Sequence, residues 1–306
     1  MNTCMLPETP VPLGDGRTTA QYNGSGVQSA PTRDACGVFH YLDRSTSEEA
    51  LVSGTNIATA NTYGDLNEAV VCDVRDVTGK ESHFTLEKHG FEYRTCPTAL
   101  RVCDWEDQDK VKAIYYRETA DFIKQVTGAS HVHVFSHLTR VSHGTDSNPL
   151  AGAIQGRQQV YKVHVDQVPS QVEKNIRFRL PAEEADRILN KHFQIINVWR
   201  PIETIYRDPL AIADLSSVSS DDLVNMNFAL PKGRHASNVA VKANSTHRWF
   251  YKYAQAPNEV VIFKQYDNGD GVACYGQVPH SSFIDEAGQR DAPRRSIEIR
   301  AFVSYN

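Results

Sequence analysis

No stretch of eighteen consecutive apolar residues occurs in this sequence, so none reads as a membrane-spanning helix. Nor does the start, Met1-Asn2-Thr3-Cys4-Met5-Leu6-Pro7, carry the charged and apolar parts of a secretory signal. A basic excess is missing as well. Lys and Arg number 32 against 37 Asp and Glu, a formal net charge of -5, and no basic tract or aromatic-basic platform is present. That balance argues against nucleic acid as a partner, since such binding works by neutralising phosphates. Cysteine is sparse: Cys4, Cys36, Cys72, Cys96, Cys103 and Cys274 show neither metal-ligand spacing nor a dense disulfide framework. The expectation is a reduced, cytoplasmic protein without membrane insertion. Serine and cysteine hydrolases are disfavoured, because there is no Gly-x-Ser-x-Gly elbow and no cysteine in a recognisable nucleophile context.

What remains is an ordinary globular composition, 40% hydrophobic and 23% charged, in a chain of 306 residues that can bury a large core. Residues 1–68 are the least patterned. Pro7, Pro10, Pro12, Pro31 and the glycines between Gly14 and Gly37 read as extended chain and turns, an N-terminal arm with little regular structure packed on the core. The core itself is expected at 69–306.

Strands are expected at 70–74 and 83–86. A helix over about 109–126 has Val111, Ile114, Tyr115, Phe122 and Val126 on one stripe, Asp104 or Asp107 as cap, and Thr127-Gly128 as its end. One apolar stripe needs a surface to lie on, and the outside of a sheet is the natural place. In 131–137, a period of two puts His131, His133, Phe135 and His137 on one face, a histidine cluster better suited to a core or supporting role than to closing a metal site from one strand, with Arg140 and His143 near the mouth of the fold. The segment 172–180 alternates like a strand, and Pro181 opens a short helix over 182–189. Phe193-Gln194-Ile195-Ile196-Asn197-Val198-Trp199 is the strongest strand signal, and short strands follow at near-regular intervals around 210–213, 238–242, 248–253 and 259–263. Regular short strands with turn chemistry between them indicate a closed or sandwiched β architecture.

The chemistry concentrates in Val160-Tyr161-Lys162-Val163-His164-Val165-Asp166-Gln167. Taken as a strand, it places the His164 imidazole and the Asp166 carboxylate on one face, close enough to share a cation, with Val163 and Val165 on the other. The third ligand must come from elsewhere. His280 is the candidate, and the set is then the two-His, one-carboxylate face that holds ferrous iron in non-haem oxygenases. The bland alternative is a histidine beside a surface aspartate on an ordinary strand.

These pieces, with Phe84-Thr85-Leu86, Val126-Thr127-Gly128-Ala129, the run from Asn197 through Trp199-Arg200-Pro201-Ile202, Asp208-Pro209-Leu210-Ala211, Phe263-Lys264-Gln265-Tyr266-Asp267 and Pro293-Arg294-Arg295-Ser296-Ile297-Glu298-Ile299-Arg300-Ala301, carry a resemblance. In order and extent the chain from residue 70 onward resembles the gibberellin desaturase-like and aspergillic-acid-cluster hydroxylase/desaturase-like family, to which a cephamycin-pathway protein also belongs. The resemblance implies a mainly β fold, a double-stranded β-helix (jelly roll) with a few flanking helices. It implies Fe(II), 2-oxoglutarate as cosubstrate and dioxygen, acting on a small-molecule secondary metabolite by hydroxylation, desaturation or oxidative cyclisation. His164, Asp166 and His280 match the family's iron ligands. Arg294 and Ser296 match the Arg-x-Ser pair that holds the cosubstrate's distal carboxylate. The chain departs from the family's pattern at Ser136 and in Tyr275-Gly276-Gln277-Val278.

Parity in the last strand bears on the clamp. Ser296, Glu298 and Arg300 share one face, joined by Arg294 if the strand starts early, while Ile297, Ile299, Ala301 and Val303 take the other. Both Arg294 and Arg300 thus count as cosubstrate candidates. Arg294 is expected to be the clamp, because a planar fork suits a carboxylate, and Arg300 is expected to pair with Glu298 or another acid, or to reach the substrate. Arg140, Trp199, Tyr275 and Phe283 are candidate substrate contacts. The rival reading is a 2-oxoglutarate-independent or non-oxidative metal enzyme on the same scaffold, which would keep the three ligands and have no use for the arginine.

Overall fold

The computed structural model of the protein describes residues 33–47, 63–141, 159–230, 234–288 and 291–306. Most of the expected arm, along with His143, lies outside the described residues. The strands are β1 (Ala35–Leu42), β2 (Asn67–Asp76), β3 (Phe91–Thr95), β4 (His131–Val141), β5 (His164–Val165), β6 (Phe193–Pro201), β7 (Leu210–Ala213), β8 (Leu223–Leu230), β9 (Arg234–Val241), β10 (Trp249–Tyr251), β11 (Glu259–Asp267), β12 (His280–Ser282) and β13 (Arg295–Ser304). They form a larger sheet in the order β1-β2-β10-β7-β12-β5-β9-β8 and a smaller one in the order β3-β11-β6-β13-β4.

Alternation decides what lies between the sheets. In β6, Trp199 faces the larger sheet and packs with Ile212, Phe250, Val261 and Phe263. Its neighbours Ile196 and Val198 face outward with Ile297, Ile299, Ala301 and Val303 of β13. On that outer surface lies the expected helix, built from Gln108–Lys110, a π turn at Val111–Tyr115, and Tyr116–Thr127. Of the two proposed caps, Asp107 accepts from the backbone N–H groups of Asp109 and Lys110, and Gly128 ends the helix in the left-handed conformation at φ 70°. Tyr115, Phe122 and Ile123 cover the sheet's apolar outer face.

Residues 83–86, read as a strand, instead run from the end of a 3-10 turn at Glu81–His83 to the start of a short helix at Leu86–His89 that Thr85 caps. Three further expectations are corrected here. Ala35–Leu42, inside the stretch read as unpatterned, is a full strand: it pairs antiparallel with β2 and makes bridges from His40 to Lys162 and Leu42 to Lys242. Its Phe39 and Tyr41 close an apolar layer over the outer face of the larger sheet. Second, 172–180 is not a strand but most of the helix Pro169–Arg179. Val172, Ile176 and Leu180, four apart, share a side in both periodicities, and Pro169 in the first turn supplies the helical start that alternation hides. Third, β4 carries a bulge, since Ser136 pairs with Arg300 but Val134 with Ala301, leaving Phe135 as the extra residue. The bulge reverses the alternation. His133 and Phe135 therefore meet Phe302, whereas His137 turns to the helix, bonding Tyr116 and Gln108.

Candidate active site

β5 and β12 are neighbours, with His164 directly opposite His280 and their ring centroids 4.4 Å apart. Both imidazoles are buried. His164 Nδ1 lies 2.8 Å from the Lys162 carbonyl and His280 Nδ1 lies 3.4 Å from that of Val278, so each ring donates through Nδ1 and leaves the Nε2 lone pair for a metal. Asp166 Oδ1 stands 3.8 Å from His164 Nε2. One ligand atom from each of His164, Asp166 and His280 lies within 4.8 Å of the others, the one such group of metal-binding residues found among the described residues. The donor set fits a ferrous ion: two neutral nitrogens and one carboxylate oxygen on a single side.

Charge around the cluster keeps the ligands in the right form. Burial would raise the Asp166 carboxyl, but Arg300, the two imidazoles and the Asn197 amide hold it below the usual carboxylate range. Burial, reinforced by His280, pushes His164 well below the ordinary imidazole value against the pull of Asp166. An ionised carboxylate and a neutral imidazole are the ligating forms.

Arg294 is buried beside this cluster. Its Nη1 donates to Ser282 Oγ at 2.7 Å and to the Asp208 carbonyl at 2.6 Å, and its guanidinium carbon sits 5.6 Å over the Trp199 ring. Ser282 is two residues past His280, on the same side of β12. Burial, with Arg140 adding to it, lowers the Arg294 guanidinium to about 10. Arg294 Nε and Ser296 Oγ are both buried without a hydrogen-bond partner. Unmade bonds of this kind are costly in a finished core, and two of them two residues apart suit an oxygen-rich anion that completes the site.

Arg300 stands elsewhere. Its Nη2 lies 3.0 Å from Asp166 Oδ2 and 2.8 Å from Glu298 Oε1. Arg140, half-buried, lies across from Ser296 within the field of Glu298, Arg300 and Asp166. Trp199 is buried against Arg294 rather than open to a substrate, and Phe283 is fully buried between Phe39 and Tyr251, a core residue and not a pocket wall. Tyr275 is exposed and stacks on Tyr266 in a cavity of about 630 Å³ that includes none of the three ligands. Sequence reasoning passed over Asn197, Gln265 and Ser282. Asn197 had a signal, an amide in the middle of a run of apolar residues; the other two had none.

With the geometry in place, comparison with known proteins gives the family. The family described as "Oxidoreductase/YMDC permease-like domain" matches residues 39–304. The alpha-ketoglutarate-dependent dioxygenase phiK of Fungal sp. is 35% identical, over 79% of this chain and 85% of that protein. The hydroxylase/desaturase CTB9 of Cercospora beticola is 32% identical, over 87% and 86%. In fold, the solved iron and alpha-ketoglutarate-dependent endoperoxidase NvfI is similar at TM-score 0.71 and 24% identity, covering 90% of this chain and 98% of its own. The chain belongs to the alpha-ketoglutarate-dependent dioxygenases. It has their jelly roll and is an oxidoreductase that uses Fe(II), 2-oxoglutarate and dioxygen on a small-molecule substrate.

Proposed function

We propose that this protein oxidises a C–H bond of a small secondary metabolite, by hydroxylation, desaturation or ring formation, with His164, Asp166 and His280 as iron ligands and Arg294 with Ser296 as the seat of the 2-oxoglutarate distal carboxylate. The observation that carries the reading is the pair of partnerless buried groups, Arg294 Nε and Ser296 Oγ, joined through Ser282 to the strand of His280. Iron and the keto acid, when bound, supply the oxidising chemistry. The chain's own residues do the rest. His164 and His280 are oriented by the carbonyls of Lys162 and Val278, and Arg294 is held in advance by Ser282, Asp208 and Trp199, so little side-chain freedom is lost on binding the diacid. A metal enzyme without a keto-acid cosubstrate has no need of a buried arginine with donors left over.

Incubation with metabolite extracts should consume dioxygen and convert 2-oxoglutarate to succinate in step with product. Product without succinate refutes the assignment. The names of the relatives, a hydroxylase/desaturase and an endoperoxidase among them, support oxidation of a secondary metabolite and span more than one outcome. Free cysteines at Cys36, Cys72, Cys96, Cys103 and Cys274 suit a cytoplasmic location, which fractionation of the tagged protein tests.

A further inference from the structure

The two oxygens of Asp166 have different surroundings. Oδ1 is the one turned to His164 Nε2, at 3.8 Å. Oδ2 takes Asn197 Nδ2 at 2.8 Å and Arg300 Nη2 at 3.0 Å. These two donors come from one row of the smaller sheet, since Asn197 on β6 pairs directly with Arg300 on β13. Asn197 is fully buried, and its Oδ1 has no partner. A buried amide left half-unsatisfied is costly, and its one bond is the one to Asp166. Arg300 is in turn fixed by Glu298, whose Oε1 accepts from Nε at 3.0 Å and lies 2.8 Å from Nη2.

Two irregularities of the sheet lie beside Asp166 and its partner Arg300. The register of β11 shifts between Lys264 and Tyr266, which takes Gln265 out of the ladder, and its Oε1 accepts from the Asp166 backbone N–H at 2.7 Å. The bulge at Phe135 in β4 falls between the residues that pair with Arg300 and Ala301. Bulges re-aim side chains and gather beside active sites.

We infer that Arg300 is a positioning residue for the metal-binding carboxylate: together with Asn197 it occupies Asp166 Oδ2, so that Asp166 offers the metal Oδ1 alone. A carboxylate held through one oxygen takes one coordination position, and the positions needed by the keto acid and dioxygen stay open. Glu298 serves Arg300, because an arginine that bridges two carboxylates cannot swing toward a cosubstrate. The inference rests on the assignment of His164, Asp166 and His280 as ligands, and it separates Arg300 from the cosubstrate role that parity alone left open to it.

The test uses the metal without cosubstrate. Purified full-length apoprotein is titrated with Co(II), whose visible bands report both affinity and coordination, with no 2-oxoglutarate present. Wild type should bind one Co(II), and Asp166→Ala should not bind strongly; no binding by wild type overturns the ligand assignment and this inference with it. Arg300→Gln should weaken Co(II) binding by roughly 10- to 100-fold, as the carboxylate loses its fixed orientation, and should change the bands, as Oδ2 becomes free to coordinate. Arg300→Lys should recover part of the loss, since an ammonium can reach one carboxylate but not span two. Because Arg300→Gln leaves Glu298 buried and unpaired, the double variant Arg300→Gln/Glu298→Gln is the control for folding, and it too should bind Co(II) weakly. If either glutamine variant binds Co(II) with wild-type affinity and bands, Arg300 is only the charge partner of Glu298 and the inference is overturned.

Discussion

Among the described residues, two buried clusters set an aspartate against a buried histidine, and they are finished to different degrees. In one, Trp249 Nε1 donates to Tyr41 OH at 2.9 Å, Tyr41 OH lies 3.2 Å from His247 Nδ1, and His247 Nε2 lies 3.2 Å from Asp222 Oδ2. Asp222 also accepts from Arg44 and Asn244. Every polar group of that chain has a partner. In the other, around Asp166, the imidazoles keep Nε2 lone pairs, and Arg294 Nε, Ser296 Oγ and Asn197 Oδ1 are left over. A closed network is a strut that ties the β9–β10 connection to β1. A network that leaves buried donors and acceptors unpaired around a set of metal-ligating side chains is the candidate binding site, because such unmade bonds are costly in a finished core.

That contrast can be broken from either side. The largest effect is expected at the open cluster, where Asp166→Ala and His280→Ala should each abolish strong ferrous binding and turnover while circular dichroism stays native. Anaerobic metal titration checks this, and full ferrous affinity in Asp166→Ala sinks the assignment. Next comes Arg294→Gln. Loss of a two-pronged contact to a buried carboxylate should cost about 2 to 5 kcal/mol, a rise of roughly thirtyfold or more in the 2-oxoglutarate constant. A cosubstrate titration at saturating iron decides it.

At the closed cluster the expected response is of another kind. Asp222→Ala strands the buried His247 N–H and the Asn244 amide, and should lower unfolding free energy by about 3 kcal/mol with the 2-oxoglutarate constant unchanged. Urea melts beside a cosubstrate titration separate the two readouts. A cosubstrate constant that moved with Asp222 would erase the distinction between strut and site.

The smallest effect sits between the clusters, at Lys162. Burial lowers its ammonium to about 8 from 10.5. Below pH 8 the residue is charged both folded and unfolded, and the burial penalty is felt in full. As pH rises from 8 to 10.5, the unfolded chain still holds a proton that the folded chain has released, so stability rises with pH. Lys162→Met should therefore be more stable than wild type at pH 7, by about 2 kcal/mol, and the gap should narrow by pH 10. Paired melts at the two pH values measure it.

Much of this was legible in the sequence, for a physical reason. Period-two alternation survives folding where a strand is regular, so the outward set Ile297, Ile299, Ala301 and Val303 could be read from the chain alone, whereas His164 and Asp166 come together although the strand there is only His164–Val165 and Asp166 lies in the bend after it. What could not be read are the places where the period breaks. The extra residue at Phe135 sends His137 to the helix, and the shift at Gln265 turns an amide onto the Asp166 backbone. Neither leaves a mark in residue type. Val172 and Ile176 misled because a spacing of four is common to both periodicities, and only Pro169 argued for the helix.

The docking of β1 has a consequence for how the molecule forms. β5 is two residues long, and the segment just before it is gripped by β1, with the Val163 N–H donating to the His40 carbonyl at 2.8 Å. These contacts join parts of the chain far apart in sequence, and the entropy of closing so large a loop is lost before any of them forms. The ligand pair His164 and Asp166 thus depends on a late-closing part of the topology. If His164, Asp166 and His280 hold iron as proposed, a metal ion would meet its complete ligand set only in the finished fold, would act as a latch on that closure and would shift the folding equilibrium by mass action.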